Sequence, residues 1–94
     1  MIFSLSIDHQ DNIWVADPEH NRIIIFDSNG TEVRAITSKN QSSSLNHPVS
    51  VYCLPNGAYL VGDRSDSILK HFDAQDNLIH KADRAHWGVD EIYF

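Results

Sequence analysis

The sequence predicts an all-β repeat protein, two four-stranded antiparallel sheets one after the other, and three observations carry that reading. The first is internal repetition. Residues 12–17 (N-I-W-V-A-D) and 58–63 (A-Y-L-V-G-D) nearly repeat each other 46 residues apart. Self-similarity at a fixed period of roughly 20–50 residues marks a stacked-repeat architecture. The second is punctuation. Nine residues after Asp17 and after Asp63 stand the aromatic-acid pairs Phe26-Asp27 and Phe72-Asp73, followed by turn signals at Asn29-Gly30 and Asp76-Asn77. The third is periodicity: every apolar run is short and bounded by turn residues, and no helical pattern lasts beyond two turns.

Taken in order, Phe3–Asp8 alternates as F-S-L-S-I-D, the pattern of a half-buried strand. Asp11-Asn12 turns it into a strand over Ile13–Ala16. Asp17-Pro18 ends that strand, because proline has no N–H for a ladder. Arg22–Phe26 forms the third strand and Glu32–Ile36 the fourth. Asn29-Gly30 between them predicts a tight hairpin with both residues at positive φ. The second copy repeats the scheme with Val49–Leu54, a Pro55-Asn56-Gly57 turn, Tyr59–Val61, Ile68–Phe72, a turn at Asp76-Asn77, and Leu78–Ala82. Ile13–Ala16 and Ile23–Phe26 are continuous apolar runs, as expected of strands covered on both faces. Four short antiparallel strands per period of about 45 residues is the make-up of one β-propeller blade.

The expected boundaries are a first blade over about residues 2–37, a loop over 38–46, a second blade over about 47–83 and the opening of a third repeat at 86–94. Trp14, Val15, Leu60 and Val61 are expected to be buried. Lys70 and His71 stand where the first copy has Ile24 and Ile25, so the second blade is expected to be less covered, or at an edge.

Composition narrows the partners. The 94 residues include 41% hydrophobic side chains, enough for one small packed repeat region and too many for a disordered chain. The formal net charge of -6 comes from 13 acids against 7 bases, with no basic run. Nucleic acid and anionic membranes both need clustered Lys and Arg, so both are disfavoured. The single cysteine, Cys53, lies in V-Y-C-L with no basic neighbour, which describes a small buried hydrophobe rather than a reactive thiol. The N-terminus lacks a signal peptide's basic region and apolar stretch, which with the lone cysteine favours the cytoplasm. Of the two N-x-S/T sequons, at Asn29 and Asn40, the first is better explained by its turn.

The two copies also resemble a known family. Residues 7–30, I-D-H-Q-D-N-I-W-V-A-D-P-E-H-N-R-I-I-I-F-D-S-N-G, and residues 48–73, P-V-S-V-Y-C-L-P-N-G-A-Y-L-V-G-D-R-S-D-S-I-L-K-H-F-D, are similar to the NHL repeat. The resemblance covers roughly 80 of the 94 residues and implies a six-bladed propeller. It departs from the family at His20-Asn21, where the order is reversed, and at Asp66-Ser67-Ile68, where the arginine matching Arg22 is missing.

The chemistry is sparse. The six histidines form no H-x-H or H-E-x-x-H spacing. Some NHL-like propellers are peptide-amidating lyases whose metal sits on histidines of P-H-G turns. Here the matching positions hold Phe3 and Val49, and only His86 stands loosely near such a turn. No metal and no cofactor are expected. Asp17 and Asp63 read as caps that end a strand and accept turn N–H groups, and Asp27 and Asp73 as first residues of turns.

The resulting expectation is a non-enzymatic module that binds a protein or peptide partner through blade loops. The candidate residues are Pro18, Glu19, His20 and Asn21 in one copy, and Arg64, Ser65, Asp66 and Ser67 in the other, because these follow the same strand. The resemblance extends to tripartite-motif ubiquitin ligases, whose NHL propellers choose substrates, although no RING or B-box pattern is present here. The alternative is a fragment of a propeller enzyme, amidating-lyase-like or lactonase-like. Two blades leave two sheet faces without partners, so the chain is expected to belong to a longer one or to close a six-bladed ring as a homotrimer.

Overall fold

The computed structural model describes residues 4–37, 45–64 and 68–82. The first sheet runs β1 (Leu5–Ile7), β2 (Ile13–Asp17), β3 (Arg22–Phe26) and β4 (Glu32–Ile36). The second runs β5 (Pro48–Cys53), β6 (Tyr59–Asp63), β7 (Ile68–Phe72) and β8 (Leu78–Ala82). Each is a four-stranded antiparallel meander in which every strand pairs with its neighbour in sequence. The connecting residues 38–44 and the expected third repeat at 86–94 lie outside the described residues.

The four hairpins share one turn. In each, a residue bonds its N–H to a carbonyl four positions on, and its own carbonyl accepts from the residue three positions on: Asp8, Asp27, Leu54 and Asp73. That last residue, Asp11, Gly30, Gly57 or Asp76, takes positive φ (65°, 86°, 88° and 67°). This is a type I turn closed by a left-handed residue, a three-residue loop. It corrects the expected two-residue hairpin at Asn29-Gly30, where Gly30 alone has positive φ. The reason is the preceding acid. Asp27 Oδ1 accepts the N–H groups of both Asn29 and Thr31, and Asp73 Oδ1 those of Gln75 and Asn77, which fixes the wider turn. Gly57 also has little room for a side chain, since a Cβ there would come within 3.1 Å of the Ala74 Cβ.

Strand alternation sorts side chains onto two faces of each sheet. Trp14, Ala16, Ile23, Ile25 and Ile36 point from the first sheet onto Val51, Tyr59, Val61 and Phe72 of the second, and these form one core with Leu45. Trp14 meets Tyr59 at 4.9 Å between ring centroids, and Tyr59 stacks on Phe72 at 5.2 Å. Polar groups finish the seam. Ser4 Oγ accepts from Val51 N–H at 3.2 Å, and Ser6 Oγ accepts from Cys53 N–H at 2.9 Å. Arg34 lies over Trp14 and pairs with Asp76, which also accepts from the Tyr59 hydroxyl at 2.8 Å.

Trp14, Val15 and Val61 are buried as expected, whereas Leu60 is only half-buried. Leu60 falls on the face of β6 turned away from the first sheet, while Tyr59 and Val61 take the covered face. Lys70 supplies a second correction. It is buried, in the rows facing the first sheet, so its charge does not mark an exposed second blade.

Candidate functional site

At one end of both sheets lie the β2–β3 and β6–β7 connections and the entry to β5. The four hairpin turns lie at the other end. The two ends differ in charge. The hairpin end carries Asp8, Asp11, Asp27, Asp73 and Asp76, with Arg34 as its near cation. Two of these acids are held below the usual carboxylate range. For Asp8, partial burial opposes ionisation, but the Trp14 indole N–H and the Asn12 and Gln10 amides outweigh it. For Asp73 the largest cause is the Asn77 N–H.

The connection end is built on salt bridges. After β2, Pro18–His20 makes a single 3₁₀ turn, and Asn21 closes it in the left-handed region with φ 51°. The expected backbone cap by Asp17 is absent. Its carboxylate instead takes the His20 Nδ1 at 3.0 Å and the Arg22 Nε at 2.9 Å. Arg22 is directly opposite Asp17 in the ladder, so the cation reaches it more readily than a turn N–H does. Partial burial of Asp17 works against its charge, and Arg22 and His20 more than compensate, holding its carboxyl low. His20 stays 64% exposed with its ring anchored at one nitrogen.

Asn21 carries the link between the sheets. Its Oδ1 accepts the His47 N–H at 2.8 Å, and the His47 carbonyl accepts the Arg64 N–H at 3.1 Å. The backbone of His47, itself at φ 62°, thus ties the Pro18–Asn21 turn to Arg64. Of the expected binding residues, Pro18 is buried, Glu19 and His20 are exposed, Asn21 is half-engaged by its link, and Arg64 is exposed beside it. Ser65, Asp66 and Ser67 lie outside the described residues. Sequence reasoning missed His47 as part of this end. Its position just before Pro48, where the second strand system begins, was the available signal.

In the second sheet the acid is handled differently. Asp63 is fully buried, and its Oδ2 receives the Asn46 N–H and the Lys70 Nζ, each at 2.8 Å. Among the described residues its Oδ1 has no hydrogen-bond partner. Among those same residues, Asn46 supplies the acid's backbone donor and Lys70 its cation.

Among the described residues, no three or more His, Cys, Asp or Glu side chains converge on a point that could hold a metal ion. His71 and His80 face each other across β7 and β8, while His9, His20 and His47 stand in separate connections. Cys53 is half-buried, and its burial pushes the thiol pKa up. Among the described residues no helix is long and apolar enough to cross a membrane.

No family model matches the sequence, and no curated protein matches it. Solved structures do. The chain superposes on the WD40 repeats of RRP9 with a TM-score of 0.66 at 19% identity, over 87% of its own length and 26% of that chain. Streptogramin B lyase follows with a TM-score of 0.64 at 11% identity, over 87% of this chain and 26% of the lyase. Hydrazine synthase of Kuenenia stuttgartiensis gives 0.64 at 9% identity, over 87% and 23%. The chain spans about a quarter of the length of these structures. Identities this low speak to the fold alone, and the fold is plain: two consecutive blades of a β-propeller.

Proposed function

We propose that this chain is an NHL-type propeller segment that recognises a protein or peptide through the connection end of its blades. The observation carrying this reading is the ordered ridge made by the exposed His20, Asn21 and Arg64 around the half-buried His47. An interaction surface works best when its groups are held before the partner arrives, because less ordering entropy is then lost on binding. The Asp17 salt bridges and the Asn21–His47 link supply that order. Charge supports the choice of end. At the connection end the cations Arg22, Arg64 and Lys70 balance Asp17, Glu19 and Asp63, whereas the hairpin end would repel acidic partners. The NHL assignment rests on the repeat motifs at residues 7–30 and 48–73. The enzyme alternative has only the shared fold of two enzymes, at 11% and 9% identity, in its favour.

The test is peptide selection. A displayed library is panned against the chain, and the enriched peptides are titrated calorimetrically. Double replacement of His20 and Arg64 by Ala should weaken binding at least tenfold, and replacement of Asn29 and Gln75 at the opposite end should leave it unchanged. Peptides whose affinity responds only to the hairpin-end replacement would overturn the proposal.

A further inference from the structure

Hydrogen bonds already made at the connection end decide which groups are left to meet a partner there. The Asp17 carboxyl, held low despite its partial burial, is ionised at neutral pH and can only accept. His20 Nδ1, 3.0 Å from it, therefore carries the ring proton. In the neutral imidazole the other nitrogen, Nε2, is then a lone-pair acceptor on a ring that is 64% exposed. Asn21 is committed the other way. Its Oδ1 is occupied by the His47 N–H, which leaves the side-chain amide N–H groups to donate.

Arg64 adds charge. Arg22 and Arg34 are paired with Asp17 and Asp76, whereas among the described residues no carboxylate pairs with Arg64. Its side chain is exposed, and its backbone is held by the His47 carbonyl at 3.1 Å. The ridge thus presents an acceptor, a donor and a cation, in that order. The Asn21 amide and the Arg64 N–H are separated by one residue and two hydrogen bonds, of 2.8 Å and 3.1 Å. That is at most roughly 10 Å, which about three residues of extended chain span. An arginine fork matches a carboxylate with two parallel hydrogen bonds. The hairpin end, with its five aspartates, repels the same ligand and leaves the connection end to receive it.

We propose that the ligand of this end is an acidic peptide segment in extended form. Its carboxylate sits in the Arg64 fork, a backbone carbonyl accepts from the Asn21 amide, and a backbone N–H donates to His20 Nε2. This rests on the reading of the connection end as a peptide-recognition surface and adds the class of peptide. Because two of the three contacts go to backbone, the acid is the chief side-chain requirement. A side-chain carboxylate and a terminal one offer the same chemistry.

The test uses this chain and fluorescein-labelled peptides enriched from a displayed library, titrated by fluorescence anisotropy. Each peptide is made as selected, with its Asp and Glu replaced by Asn and Gln, and with its C-terminus amidated. Losing the carboxylate that binds should weaken affinity about tenfold or more, and the form that suffers tells a side-chain acid from a terminal one. Arg64→Gln should cause a similar loss with the selected peptide and little further loss with the neutralised one, since both changes remove one interaction. Arg64→Lys should restore only part of it. His20→Phe should weaken every form alike. Arg64 and His20 are exposed, so far-ultraviolet circular dichroism should stay as in wild type. Equal affinity of all three forms, or an Arg64→Gln loss undiminished on neutralised peptides, would overturn the acidic ligand, while the His20 effect would still support the connection end. Peptides that respond only to replacement of Asn29 and Gln75, or a library that yields none, would overturn both.

Discussion

Replacing Lys70 with Met should be among the most damaging single changes in this chain. The Lys70 and Asp63 side chains are 5% and 0% exposed, with Nζ and Oδ2 2.8 Å apart. At an effective dielectric of about 20 their attraction is roughly 6 kcal/mol, most of it offset by the desolvation of both groups. The net value of the pair is therefore small, and the damage arises elsewhere. Without Lys70 the Asp63 carboxylate keeps, among the described residues, the Asn46 N–H on Oδ2 and nothing on Oδ1. Stranding a buried charge in this way costs about 3–5 kcal/mol. Against a total stability on the order of 5–15 kcal/mol for a small domain, that is a large fraction.

Two further variants separate the explanations. Removing both charges with Asp63→Leu and Lys70→Met should bring the loss back to about 1–2 kcal/mol, chiefly the lost bond to Asn46. Moving the cation should do nearly as well. In the first blade the acid is answered from the directly opposite ladder position, Asp17 with Arg22, and the opposite residue to Asp63 is Ile68. Ile68→Arg combined with Lys70→Ile rebuilds the first blade's arrangement in the second. Urea titrations followed by tryptophan fluorescence and circular dichroism measure all three. The reasoning fails if Lys70→Met alone stays within 1 kcal/mol of wild type, or if the double variants are no better than the single one.

Asn21→Ala should cost about 2–3 kcal/mol, the sum of the lost bond to His47 and the strain of Ala at positive φ, while Asn21→Gly should cost about 1 kcal/mol; equal losses in urea titration would refute that split. On acidification, stability should fall as pH drops below about 4. Asp8, Asp17 and Asp73 have folded pKa values depressed below the unfolded ones, so their contribution is present above that range and is lost as they protonate. Thermal melts between pH 7 and pH 2.5 would show it, and a melting temperature constant through pH 3 would contradict it. Cys53 should react slowly with a thiol reagent at pH 8 in the native chain and quickly in urea, because burial raises its pKa; equal rates would show the thiol to be open.

The strands were legible because two independent codes agree. Alternation and short apolar runs mark the strands, and the Asp residues at 8, 27 and 73 mark turns that their own side chains hold together. What misled was fine chemistry within the period. Asn-Gly suggested a two-residue hairpin, yet an acid two residues before the Asn competes for the turn N–H groups and selects the three-residue loop. Leu60 looked buried because it aligns with Trp14. The face it shares with Trp14 is covered in one blade and open in the other, and repetition alone does not say where the stack ends.

The Asp63–Lys70 pair shows why sites are harder to read than elements. By repeat register the cation belongs at 68, opposite its acid, and there the sequence has Ile. The charge has moved two residues along the same strand, which keeps it on the same face because side chains alternate with period two. A one-residue move would have placed it on the outward face and stranded Asp63. A reading by aligned columns therefore scores Ile68 as a loss and Lys70 as an intrusion, when together they conserve one interaction. The Asn21–His47 link escapes for a different reason. Its partners are 26 residues apart and belong to different blades, so neither falls in the other's local pattern. Both features are set by the geometry of stacked sheets rather than by the period. It is that geometry which turns the connection end into an ordered surface while leaving the strand pattern unchanged.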